Sequence, residues 1–131
     1  MAEMAAADIP PEVWNFVETN IDTVPQLEAL LLIYGTEDRS WKAEEIAARI
    51  YVALESAHGI LEALRRRGLL VVSEDSLGYR RSPATDTTNA LIAKVSDAYR
   101  RHLVPIATFI HSKASASVRE FARAFEIKKD R

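Results

Sequence analysis

The stretch that most constrains this chain is Leu61-Glu62-Ala63-Leu64-Arg65-Arg66-Arg67-Gly68-Leu69-Leu70, because the hydrophobic period changes inside it. Before it, Leu54, Ala57, Leu61 and Leu64 fall on one stripe with Ile60 beside them, which predicts a helix over about 54–67. Arg65, Arg66 and Arg67 suit the negative end of a helix dipole, and Gly68 suits the residue just past it. After it, Leu69-Leu70-Val71-Val72 is rich in strand formers, Asp75-Ser76-Leu77-Gly78 is a turn cluster, and Tyr79-Arg80-Arg81-Ser82-Pro83 is a second extended run. These predict a β-hairpin over about 69–82. A helix that stops on glycine and runs straight into a short hairpin restricts the chain to a mainly α fold with a small β-hairpin.

The rest of the chain is helical in pattern. Pro11 opens a short helix at about 11–19, with Val13, Trp14 and Val17 at helical spacing. Thr23 and Gln26 form a capping-box pair before Leu27, Leu30, Leu31 and Tyr34, and Gly35 stands where a left-handed residue would end that helix. Ile46, Ala47 and Ile50 give the inner face of a two-turn helix, with Glu44 and Glu45 at its positive end. Trp14 and Trp41, the latter just before this helix, are expected in the core. From Thr85, with Asp86 or Thr87 as cap, a stripe of Leu91, Ile92, Val95, Tyr99, Leu103, Ile106, Phe109 and Ile110 predicts a long helix kinked by Pro105. Ser117 and Glu120 form a second capping box before Phe121 and Phe125.

Composition removes several function classes. The 131 residues include no cysteine, which excludes a disulfide scaffold, a thiol nucleophile and a cysteine-ligated metal. No apolar run is long enough to span a bilayer, and the start carries Glu3 and Asp8 without Lys or Arg, so a cytoplasmic protein is expected. His58, His102 and His111 do not have the i, i+3 or i, i+4 spacing of a helical metal pair. There is no Gly-x-Ser-x-Gly elbow and no phosphate-cradling glycine loop. No catalytic residue, cofactor or metal is therefore expected. The net charge of −2 hides an asymmetry: residues 1–62 carry 12 acids and 3 bases, and residues 63–131 carry 14 bases and 7 acids. A nucleic-acid footprint would have to come from the second half. The plainer reading is that the halves attract each other, within one chain or across a dimer.

Helix, short helix, helix and two-stranded hairpin, carried by Leu27 to Tyr34, Trp41 to Ala47, Ile60 to Leu70 and Tyr79-Arg80-Arg81, resemble a winged helix-turn-helix domain. The long helical stripe after the hairpin is similar to bacterial transcriptional regulators of the MarR and PadR type. The resemblance covers about residues 23–83. It divides the chain into an N-terminal extension at 1–22, a winged helix-turn-helix domain at 23–83 and a C-terminal helical dimerisation region at 84–131. It implies duplex DNA as partner, with the second helix of the turn motif in the major groove. Carried onto this chain, the reading half of that helix is Ala53 to Gly59, where Ser56 and His58 can hydrogen-bond but no Arg, Lys, Asn or Gln is present. Arg65 and Arg66, and Arg80 and Arg81 on the wing, are the candidate phosphate contacts. Lys42 and Ala53 stand where a good N-cap would be expected.

The C-terminal stripe is roughly 30 Å long at helical rise, more than a small domain easily covers. A homodimer is expected, with Leu91, Val95, Tyr99, Leu103, Ile106 and Phe109 as its seam. The alternative is that the stripe folds back over the N-terminal helix of its own chain. Two functional readings follow. The first is a homodimeric DNA-binding transcriptional regulator. The second is a winged-helix module that binds another protein, favoured by the acidic first half and by Glu55 on the reading helix.

Overall fold

A computed structural model of the chain describes residues 8–83 and 85–114. The order of elements is α1 (Pro11–Asn20), α2 (Val24–Gly35), α3 (Ala43–Ile50), α4 (Leu54–Arg66), β1 (Leu70–Val72), β2 (Tyr79–Arg81) and α5 (Asp86–Arg101). Residues 103–114 form a further helical stretch, α6. The fold is mainly helical with one antiparallel hairpin, as the sequence predicts. The capping box at Ser117 and the helix with Phe121 and Phe125 lie outside the described residues.

Local chemistry fixes most boundaries. Thr23 caps α2 by accepting from the Gln26 amide at 3.2 Å. The Gln26 side chain reaches one residue further back than a capping box requires, and accepts from the Asp22 amide at 2.8 Å. Gly35 is the last residue of α2, but the chain leaves through extended Thr36 rather than through a left-handed glycine. The Thr36 hydroxyl donates back to the Leu32 carbonyl at 3.1 Å and so satisfies an open helix end. Gly68 does adopt the left-handed conformation (φ 79°). Its amide donates to the Arg65 carbonyl, and the Leu69 amide to the Leu64 carbonyl, the paired bonds of a Schellman stop. Thr85, not Asp86 or Thr87, caps α5, accepting from the Thr88 amide at 3.2 Å.

Pro105 acts one turn earlier than a simple kink would. It offers no N–H to the Arg101 carbonyl, and the helix opens at His102 (φ −133°, ψ 51°) before resuming at 103. The resulting bend lets α6 return to its own core. Val13 and Val17 of α1, Leu27, Leu30 and Ile33 of α2, Ile46 of α3, Leu61 and Leu64 of α4, Ile92 and Val95 of α5, and Ile106 and Ile110 of α6 share one buried apolar cluster. Trp14 is half-buried rather than central, and meets the Phe109 ring edge-on at 5.1 Å between centroids.

The hairpin is held by more than its own ladder. β1 and β2 pair with Leu70 opposite Arg81, Val71 opposite Arg80 and Val72 opposite Tyr79. Trp41, in the α2–α3 connection, adds itself on the far side of β2. Its amide donates to the Tyr79 carbonyl at 2.7 Å, and the Tyr79 amide donates to the Trp41 carbonyl at 2.8 Å. Gly78 makes this approach feasible. A Cβ there would sit 2.6 Å from Ser40 Oγ and 2.7 Å from the Trp41 carbonyl oxygen, so the backbones could not close. At the tip, Ser73 Oγ accepts from the Gly78 amide at 3.1 Å, and Asp75 accepts from Ser73 Oγ at 2.6 Å and from the Leu77 amide at 3.0 Å.

Gly78→Ala is expected to destabilise the chain by about 1–3 kcal/mol, as overpacking does. Urea unfolding followed by tryptophan fluorescence, to which Trp14 and Trp41 both contribute, measures it. The Asp75 carboxyl is held below the ordinary carboxylate range, first by the Ser73 hydroxyl and then by the Leu77 amide. Its folded pKa is lowered, so its contribution is present above the unfolded value of about 3.9 and is lost as pH falls through the folded one. Asp75→Asn is expected to flatten the acid limb of a stability-against-pH curve.

Candidate nucleic-acid interface

Helices α3 and α4 are joined by Tyr51-Val52-Ala53. Tyr51 takes the left-handed conformation (φ 59°, ψ 51°) that a glycine normally supplies at such a turn. The Val52 amide closes the turn on the Ala47 carbonyl at 3.1 Å. The Tyr51 side chain receives nothing in return from packing, being 92% exposed. The strain of a bulky residue in this region therefore stands without a compensating contact among the described residues.

Helix α4 buries Ala57, Ile60, Leu61 and Leu64. Leu54, expected on that stripe, is instead 45% exposed at the start of the helix. Along the open side of the first half stand Glu55, Ser56, His58 and Gly59, all exposed. Ala53 provides no side-chain acceptor, so the first amides of α4 remain unsatisfied by a cap. The start of α3 differs: the Glu45 side chain accepts from the Lys42 amide at 3.0 Å and pairs with Arg39 at 3.1 Å. Those two contacts, the amide first, hold the Glu45 carboxyl below its ordinary range.

The hairpin is tied to α4 as well as to Trp41. Tyr79 donates its hydroxyl to Glu62 at 3.1 Å. Glu62 also accepts from Arg65 Nε at 2.9 Å, and this contact is the main reason its carboxyl lies below the ordinary range. Arg80 and Arg81 leave β2 on opposite sides, yet both turn to Asp38 in the α2–α3 connection, at 3.4 and 3.7 Å. Arg67 pairs with Asp22 at 2.8 Å, and Lys94 with Glu12 at 2.9 Å. The acidic first half and the basic second half therefore attract each other within one chain.

Ser56, His58, Arg65 and Arg66 thus sit on exposed positions of α4, and Arg80 and Arg81 on a hairpin fixed to the same helix. Sequence reasoning missed Asp38, Glu62 and Tyr79, which hold these basic residues or fix the hairpin. Glu62 stands three residues before Arg65, a helical spacing the sequence does show, but the contacts of Asp38 with Arg80 and Arg81 and of Tyr79 with Glu62 join residues 17 to 43 apart, a separation at which no spacing signal exists. It also missed the surroundings of Trp41. The indole is buried, with the Arg39 guanidinium 3.6 Å over its ring and no hydrogen-bond partner for its N–H among the described residues.

The expected dimer stripe divides into two sets. Val95 and Ile106 are wholly buried in the chain's own core. Leu91, Tyr99 and Phe109 are half-buried against it, and Leu103 is 51% exposed beside Val104 at 69%. Among the described residues there is no group of His, Asp and Glu that could hold a metal, and no helix is long and apolar enough to cross a membrane.

No family model and no curated protein matches the sequence. Solved structures similar to it include the following three. The transcriptional regulator Tm0710 from Thermotoga maritima is 17% identical, with 98% of this chain and 88% of that one covered at a TM-score of 0.49. A MarR family protein from Bacillus stearothermophilus is 19% identical, with 98% and 87% covered at 0.49. The YusO protein from Bacillus subtilis is 19% identical, with 93% and 89% covered at 0.48.

Tyr51→Gly is expected to stabilise the chain by about 1 kcal/mol, the strain of a left-handed non-glycine residue, because no contact is lost. A raised urea midpoint checks it. An unchanged or lowered midpoint means that Tyr51 packs on something in solution.

Proposed function

We propose that this chain is a cytoplasmic DNA-binding regulator that works as a homodimer, with α4 laid in the major groove and the hairpin on the flanking backbone. One observation carries the reading: the first half of α4 is left open along Glu55, Ser56, His58 and Gly59, beside a hairpin fixed to the same helix through Tyr79 and Glu62. A helix presented this way can enter a groove about 12 Å wide. Its uncapped amides are suited to a phosphate, and Ser56 and His58 are the groups able to meet base edges. With so few base-reading side chains, much of the sequence preference would come from duplex shape.

The charges fit an interface that must be opened. Arg65, Arg80 and Arg81 are each held by an acid of the same chain. Such partly exposed pairs are worth about 0–1 kcal/mol each, so a phosphate can replace Asp38 or Glu62 at small cost. The same pairs favour the second reading, a protein-binding module, because they leave the face nearly neutral while Tyr51 and Leu54 stay exposed. Dimerisation would use the joint between α5 and α6, where Leu103 and Val104 face outward. Val95 and Ile106 belong to the monomer core and are not part of this seam.

Fluorescence anisotropy on labelled duplex separates the two readings. Duplex affinity should fall steeply with salt, and Arg80→Ala with Arg81→Ala should reduce the log–log slope by about 2. Asp38→Asn, which frees both guanidiniums, should tighten binding about threefold. An unchanged slope removes the hairpin from the interface, and an absence of duplex binding favours the protein partner. Leu103→Glu combined with Val104→Glu should give a monomer by light scattering. A dimer that survives both changes rules out this seam.

A further inference from the structure

The C-terminus of α1 is closed by cations that come from elsewhere in the fold. The last turn of α1 contains no basic residue of its own. The Val17 carbonyl accepts from the Ile21 amide at 3.0 Å, and the carbonyls that follow it lie past the last intrahelical donor. Lys113 of α6 supplies three hydrogen bonds: its Nζ donates to the carbonyls of Val17 at 3.2 Å, Glu18 at 2.5 Å and Ile21 at 2.5 Å. Arg67, at the end of α4, supplies a fourth by donating to the Thr19 carbonyl, and it pairs with Asp22 at 2.8 Å. Two cations from elements 46 positions apart thus close one helix end, where a positive charge is also favoured by the dipole.

We infer that this corner is a latch that couples the position of α6 to that of the reading helix α4. Lys113 and Arg67 grip adjacent carbonyls of the same turn, and the Asp22 carboxylate attracts both cations. Like charges so placed oppose each other, and Asp22 offsets that repulsion. Around the corner, Val17 and Ile21 are wholly buried, as are Ile106 and Ile110 on α6, so the turn cannot follow one cation without disturbing the other. The Lys113 amine is partly withdrawn from solvent, and that desolvation lowers its pKa. Any event that draws α6 away from α1 must break the bonds of Lys113, and it then alters the turn on which Arg67 anchors α4. The coupling holds whatever α4 binds.

Hydrogen exchange on the full chain, resolved by residue, tests the latch without any ligand. Lys113→Met keeps the aliphatic stem and removes the donors. It should speed exchange in the last turn of α4, over 63–67, by about threefold or more, as a local opening does. Arg67→Met should in turn speed exchange in α6. Gly78→Ala, which loosens the hairpin instead, should leave α6 unchanged and serves as the control for general destabilisation. Changes from Lys113→Met confined to α1 and α6, or no change from Arg67→Met in α6, overturn the coupling. Should Lys113→Met fail to fold, Asp22→Asn removes the shared countercharge and should speed exchange at both ends. An effect at only one end overturns the latch equally.

Discussion

The backbone pair between Trp41 and Tyr79 is the constraint on which the rest of the structure depends. It turns a two-stranded hairpin, marginal by itself, into a sheet with a third partner drawn from the α2–α3 connection. Tyr79 then does three things at once. Its backbone binds Trp41, its strand pairs with Val72, and its hydroxyl reaches Glu62 on α4. The hairpin, the α2–α3 connection and α4 are therefore tied together as one unit. Trp41 brings the apolar weight to that unit, being 2% exposed beneath Arg39. Gly78 is the residue that lets the two backbones approach.

On this frame the electrostatics become a matter of competition. The chain is acidic in its first half and basic in its second, and folding brings the two together at Asp38, Glu62, Asp22 and Glu12. None of these pairs is deeply buried, so each contributes little to stability and yields readily to a stronger anion. A duplex presents one negative charge per about 1.7 Å of its axis. The same arginines that look neutralised in the free chain are thus available to a polyanion, and a neutral resting face limits unspecific attraction to other surfaces.

Much of the fold was legible in the sequence because it rests on short-range chemistry. The period change at Arg67-Gly68, the capping Thr23 and the turn cluster at 75–78 each act within a few residues, and each was placed within a residue or two. Gly35 was expected to be left-handed and is not, because the Thr36 hydroxyl closes the helix end instead. Leu54 has the spacing of a core residue, but it precedes the point where α4 meets the core. The C-terminal stripe was the hardest to interpret. Its length suggested a seam between chains, but the break at His102 folds α6 back, so Val95 and Ile106 complete the core of their own chain. What the sequence could not show were contacts between distant residues: Asp38 with Arg80 and Arg81, Tyr79 with Glu62, Lys113 with the end of α1.

The role proposed for the open face of α4, supported by the hairpin, is recognition of duplex DNA. The most direct measurement is selection from a random duplex library at low and at physiological salt, followed by sequencing. A dimeric reader of duplex DNA should enrich a short motif, repeated with two-fold symmetry at a spacing of about one helical turn, that persists at physiological salt. Retention of duplexes without sequence preference, vanishing as salt is raised, or no retention at all, would contradict it.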